Sequence, residues 1–225
     1  MVADTLYSHE RYTSIKSLPE ACEEFTIKSG HDFIYNVAKP LLYTYNTNKI
    51  FGITLIYRPF DLKPTQKLVT FRDASMPWNV LEDENDNAQM PTLKPRKRML
   101  AVDPDWVDGR ISYMNYEHQA FAAPALKPEE EHPSLNAFSD FLAAFGREVH
   151  TAGLEGVVGL FSRPSSDFHG GLERVDGGAV VLYPPGEFAD ADLEDAVQTG
   201  WFWLENDEAK EVQVWSVVEK QGKVR

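Results

Sequence analysis

The hydrophobic rhythm of the chain changes near residue 50. From Phe51 it has period two: Phe51, Ile53, Leu55 and Tyr57 fall on one face of a strand, with Thr54, Ile56 and Arg58 on the other. Pro59 ends that strand or sets it at an edge. Leu68-Val-Thr-Phe71 gives a second strand, and the turn residues Lys63-Pro-Thr-Gln66 between the two predict a hairpin. Ahead of this region two helices are predicted. One runs from Pro19 after Ser17-Leu18 and the other lies around Asp32–Ala38, with Gly30 between them and Pro40 interrupting the second.

Further along, Met99–Val102 and Arg110–His118 predict strands flanking an Asp103–Gly109 turn. The longer of these has no plainly polar face, so a central position is expected. Leu135, Phe138, Leu142, Phe145 and Val149 recur at helical spacing and predict a helix from Ser134, its N-cap, to Val149. The continuous apolar runs within Glu155–Phe161 and Ala179–Tyr183 have the form of buried strands. Trp201–Glu205 and Val212–Val218, joined by a polar loop, predict a β-hairpin with Trp201 and Trp203 on one face. Residues 73–97 fit no rhythm and are expected to form a long excursion. Helices and strands do not alternate regularly, which argues against a doubly wound parallel sheet. The expectation is one α+β domain over residues 1–225, a mainly antiparallel sheet or partial barrel with a few helices packed on it.

Composition narrows the function. At 225 residues, 43% hydrophobic and 12% aromatic, the chain can bury one large core. Its net charge of −13 is uneven: residues 1–125 carry 14 Lys+Arg against 16 Asp+Glu, and residues 126–225 carry 8 against 19. An acidic surface repels phosphate backbones and anionic lipid, so neither nucleic acid nor membrane is expected as a partner. Cys22 stands alone among acids that disfavour its thiolate, so a disulfide framework and a multi-cysteine metal site are both out of reach within one chain. The first ten residues lack an apolar run behind a positive region, and no window approaches the ~18–20 apolar residues of a spanning helix. A cytoplasmic protein is the expectation.

The segment His169-Gly-Gly-Leu-Glu-Arg-Val-Asp-Gly-Gly178 carries the best candidate chemistry, with imidazole, carboxylate and guanidinium set among four glycines. His169 and Glu173 are the candidate acid–base pair. In an extended chain Glu173 and Val175 share one side and Arg174 and Asp176 the other, while Asp176-Gly-Gly178 has turn composition. A glycine-rich turn with surface ions accounts for the same residues. His118, Tyr57 and Arg58 are candidates for orienting a polar substrate group. His132 and His150 bracket the predicted helix too far apart to share a metal, and no histidine pair has convincing ligand spacing, so neither metal nor cofactor is expected. Nucleophile-elbow, phosphate-loop and dinucleotide fingerprints are absent. Two functions fit. One is a small-molecule enzyme using cofactor-free acid–base chemistry in an aromatic-lined pocket, of isomerase, cyclase, lyase or hydrolase type. The other is a non-catalytic protein that binds a small ligand or a protein partner. The sequence gives no sign of oligomeric state.

The blocks Phe51–Val69, Glu131–Phe138 and Leu172–Gly177 resemble uncharacterised proteins predicted from filamentous-fungal genomes. The resemblance implies a cytosolic fungal protein and brings no activity, cofactor or catalytic residue. Those relatives tend to carry histidines at the positions of Tyr57 and Pro59.

Overall fold

The computed structural model describes residues 8–71, 74–79, 92–95, 99–102, 111–113, 117–121, 135–163, 168–176, 178–203 and 211–217. Among these, twelve strands form one mixed, mostly antiparallel sheet. They are β1 (Phe51–Leu55), β2 (Gln66–Phe71), β3 (Ala74–Asn79), β4 (Thr92–Pro95), β5 (Met99–Val102), β6 (Ile111–Tyr113), β7 (Glu117–Phe121), β8 (Val158–Ser162), β9 (Gly171–Asp176), β10 (Ala179–Tyr183), β11 (Ala196–Trp203) and β12 (Glu211–Val217). Their order is β4-β7-β2-β3-β10-β9-β12-β11-β1-β8-β5-β6. Only β12–β9 and β2–β7 pair in parallel.

The sheet is curled, and two observations require it. β6 lies last in the order and β7 second, yet Tyr113 and Glu117 are four residues apart in the chain and so within about 14 Å of each other. Leu68 of β2 and Ala101 of β5, also far apart in the order, share one buried cluster with Tyr12, Ile15, Ile56 and Leu62. Cross-strand partners project from the same face. The register Ala101↔Gly159↔Thr54↔Gly200↔Val214 continues through Gly171 and Glu173 to Leu182, then through Val180 and Ser75 to the Leu68 face. That face is therefore the concave one.

The convex face carries the helices α1 (His9–Ser14), α2 (Leu18–Ile27), α3 (Gly30–Phe33), α4 (Lys39–Thr44) and α5 (Ser139–Thr151), apart from α1. Phe51, Ile53 and Leu55 of β1, Leu160 of β8 and Trp201 and Trp203 of β11 meet Phe25, Ile34, Leu42, Phe141 and Phe145 there in the main core. The alternation read in β1 thus divides its residues between two cores, with Ile56 turned to the concave cluster. α1 sits on that cluster through Tyr12, whose hydroxyl donates to the Phe60 carbonyl at 2.9 Å.

Several expectations are corrected. Pro40 does not break the second helix: Ile34–Ala38 winds as a π-helix, with the Lys39 N–H reaching the Ile34 carbonyl, and α4 continues with Pro40 in its first turn. Wide winding there absorbs the missing proline N–H. α5 begins at Ser139, after a 3-10 turn over Leu135–Phe138, rather than at Ser134, which lies outside the described residues. β1 and β2 form no hairpin; β1 lies between β11 and β8, because at Arg58 the chain turns aside to pair with Lys16 and Ser17. β2 instead forms a hairpin with β3, inside the expected excursion, which also contains β4. The expected central strand Arg110–His118 is two strands, one at a sheet edge and one next to an edge. The C-terminal hairpin and the β5/β6 pairing match expectation.

Candidate functional site

Glu173 reaches the concave face because β9 is a strand entered through a glycine elbow. Gly170 has φ +80, and a Cβ there would lie 2.0 Å from the Gln213 carbonyl oxygen, so only glycine lets β9 close on β12 in parallel. Past it, β9 and β10 pair from Asp176↔Ala179 onward, with Gly178 at φ +83 between them. The parity read for Glu173 and Val175 places Glu173 beside its register partner Ser216.

A hydroxyl network surrounds that carboxylate. Glu173 Oε2 accepts from Ser216 Oγ at 2.9 Å and from the Tyr57 hydroxyl. Tyr57 and Ser216 are themselves 2.9 Å apart, and Ser216 Oγ lies 2.9 Å from Thr199 Oγ1. Thr199 occupies the bulge where the β11/β12 register shifts between Gln198 and Gly200, and its carbonyl accepts from Thr54 Oγ1 at 3.2 Å. The bulge re-aims the threonine hydroxyl toward Ser216. Each hydroxyl carries one proton, so with Tyr57 and Ser216 both donating to Glu173, the proton in the Ser216–Thr199 contact comes from Thr199. Ser216 and Thr199 are buried; Tyr57 and Glu173 are half-buried. Chemically, the set is a carboxylate held between a phenol and a short hydroxyl relay.

The other candidates lie elsewhere. His169 is exposed on the far side of Gly170, and among the described residues no hydrogen bond joins it to Glu173. Arg58 bonds elsewhere: its guanidinium donates to the Thr13 carbonyl at 3.0 Å and to the Ile15 carbonyl, and pairs with Asp61 at 2.9 Å. It holds the chain that carries α1. The backbone of His118 lies in β7 opposite Val69, and its side chain is outside the described residues. His132 is likewise outside them, whereas His150 Nδ1 lies 2.5 Å from Glu155 Oε1. Among the described residues no group of three His, Cys, Asp or Glu side chains is placed to hold a metal ion, and no helix is long and apolar enough to cross a membrane.

Sequence reading missed Ser216 and Thr199. Ser216 had a faint signal, a lone hydroxyl among the apolar residues of Val212–Val218, but its partner is 43 residues away and depends on a parallel register. Trp201 and Trp203, on one face of their strand as the alternation predicted, are buried against the helices. No family model, no curated protein and no solved structure matches this chain.

Proposed function

We propose that the protein is a small-molecule enzyme working by cofactor-free proton transfer on the concave face of its sheet, with Glu173 as the proton acceptor and donor. Tyr57 hydrogen-bonds the substrate or holds the carboxylate, and Ser216 with Thr199 fixes its direction. The observation that carries this reading is the convergence of Tyr57, Ser216 and Glu173, from three separated parts of the chain, on one carboxylate oxygen. A carboxylate in a half-buried setting can take a proton from one substrate atom and return it to another, the common step of isomerases, cyclases and many lyases. His169 drops out as its partner because it stands in solvent. The proposal takes a neutral or cationic small molecule as substrate, with no nucleic acid and no membrane as partner, given the charge of −13. A cytoplasmic setting belongs to the same proposal and agrees with a single, unpaired cysteine.

The test is a thermal-shift screen of a small-metabolite library on the wild type, Glu173→Gln and Tyr57→Phe, with hits followed by NMR for conversion. Conversion that falls at least about a hundredfold in Glu173→Gln while the ligand still stabilises the variant supports the enzyme. Ligands retained without conversion in any form favour the binding-protein alternative. Hits that stabilise and convert equally in all three proteins remove the network from the function.

A further inference from the structure

The convex face of the C-terminal hairpin carries a repeated pairing. Three cross-strand neighbours on that face each set a tryptophan beside a carboxylate or amide: Trp203↔Glu211, Trp201↔Gln213 and Trp215↔Gln198. The bulge at Thr199 keeps the three in one column by dropping a residue from the count. Glu211 is the centre of the polar members. Its Oε1 accepts from Gln198 Nε2 at 2.9 Å, from Gln213 Nε2 at 3.1 Å and from the Tyr35 hydroxyl at 3.2 Å. Tyr35 arrives from the π-helix; His31 of α3 stands edge-on to Trp201, and Lys39, the first residue of α4, lies over the Trp203 ring with Nζ 5.8 Å from its centroid.

The Gln198 amide nitrogen is held on both sides, and acceptors of this cluster are left over. Gln198 Nε2 also reaches the Gly200 carbonyl at 3.3 Å. Among the described residues no hydrogen bond engages Glu211 Oε2, Gln198 Oε1 or Gln213 Oε1, and no ion pair neutralises Glu211. Three oxygens, one of them charged, stand beside partly exposed Trp215 and Tyr35 in the acidic half of the chain. Anions are repelled by the Glu211 carboxylate. A primary ammonium has three N–H donors and no acceptor, and its charge is drawn to both a carboxylate and an aromatic face. The Lys39 ammonium over Trp203 shows that such a group already sits on this column.

We propose that Glu211, Gln198, Gln213, Trp215 and Tyr35 form a site for a primary alkylammonium group, distinct from the Glu173 network on the opposite face. The group has two sources, a free aliphatic diamine or polyamine and a lysine side chain of another protein.

Titration calorimetry at low salt, with putrescine and Nα-acetyl-lysine amide as probes and butan-1-ol as the uncharged control, tests it on the full chain. Binding of either amine, weakened about tenfold or more in Glu211→Gln and unchanged in Asp190→Asn, is expected. The Asp190 control removes general attraction of cations to an acidic surface. Tighter binding of putrescine assigns the site to free amines, and tighter binding of the lysine amide assigns it to protein side chains. A milder variant, Gln213→Ala, with an unchanged melting curve and severalfold weaker binding, separates loss of contact from loss of fold. No saturable heat up to tens of millimolar amine, or equal binding by Glu211→Gln, overturns the site. Neither outcome bears on Glu173, which lies on the other face.

Discussion

At the scale of single residues, the two faces of β1 are packed to different tolerances. A Cβ on Gly52 would lie 2.2 Å from the Phe202 ring, which is itself wedged edge-on against Phe161 and Phe168. Gly52→Ala is therefore expected to cost about 1–3 kcal/mol by overpacking, read as a lower urea midpoint with unchanged slope. Tyr57→Phe removes one hydroxyl from a half-buried network and is expected to cost about 1–2 kcal/mol, because Glu173 loses a donor. If chemical denaturation shows no loss, the phenol is not holding the carboxylate. Burial pushes the Cys22 thiol up, which keeps it protonated and unreactive, as its acidic neighbours suggested. Residue alternation was legible in the sequence wherever both faces of a strand were to be buried or turned: Phe51, Ile53 and Leu55 against Ile56, or Glu173 against Arg174. The partners of those faces were not, since Ser216 and Tyr57 meet Glu173 only through strand order.

Among elements, the N-terminal segment is the one held most by side chains. α1 contributes Tyr12 to the concave cluster, and its connection to α2 is fastened by Arg58 through two backbone carbonyls and by the Arg58 N–H to the Lys16 carbonyl at 2.8 Å. Arg58→Ala is expected to raise hydrogen exchange across residues 8–17 while leaving β1 protected; uniform exchange change across the sheet would contradict a local clamp. α2 adds a pH term. Lys16 at 2.8 Å and Lys28 at 2.6 Å hold the Glu24 carboxyl below its ordinary range. With the folded value depressed, the stabilisation is complete above the ordinary carboxylate pKa and is lost as pH falls through the lowered one. The stability gap between wild type and Glu24→Gln should be present at pH 7 and close as pH falls through the lowered Glu24 range in parallel urea melts. α2 itself was readable from Ser17, Pro19 and Glu20, a capping box whose Glu20 carboxylate takes the Ser17 N–H at 2.8 Å. The passage of Pro40 through a helix was not, because a proline signals a break unless the preceding winding can widen, and nothing in Ile34–Ala38 announces that.

For the whole molecule, class and sheet type followed from the irregular mixture of short strands and helices, but topology did not. Local signals named the neighbour pairings β11/β12 and β5/β6 and the turn after Asp176. They were silent on β1 between β11 and β8, on the two parallel pairs, and on which strands would close the curl. Two of the five tryptophans, Trp201 and Trp203, are fully buried between sheet and helices, so the emission of these two indoles should shift to longer wavelength only on global unfolding. A red shift at denaturant concentrations that spare the far-ultraviolet signal would mean that the helical layer detaches from the sheet on its own.

Thr54 bonds to a residue 145 positions further on. β1 must therefore stay unpaired on its β11 side until nearly the entire chain has left the ribosome. Contacts of that span make for folding on a millisecond-to-second scale. A nascent chain halted before Ala196 would present a largely apolar ribbon with an open edge, a ready target for chaperones and for other unfinished copies of itself.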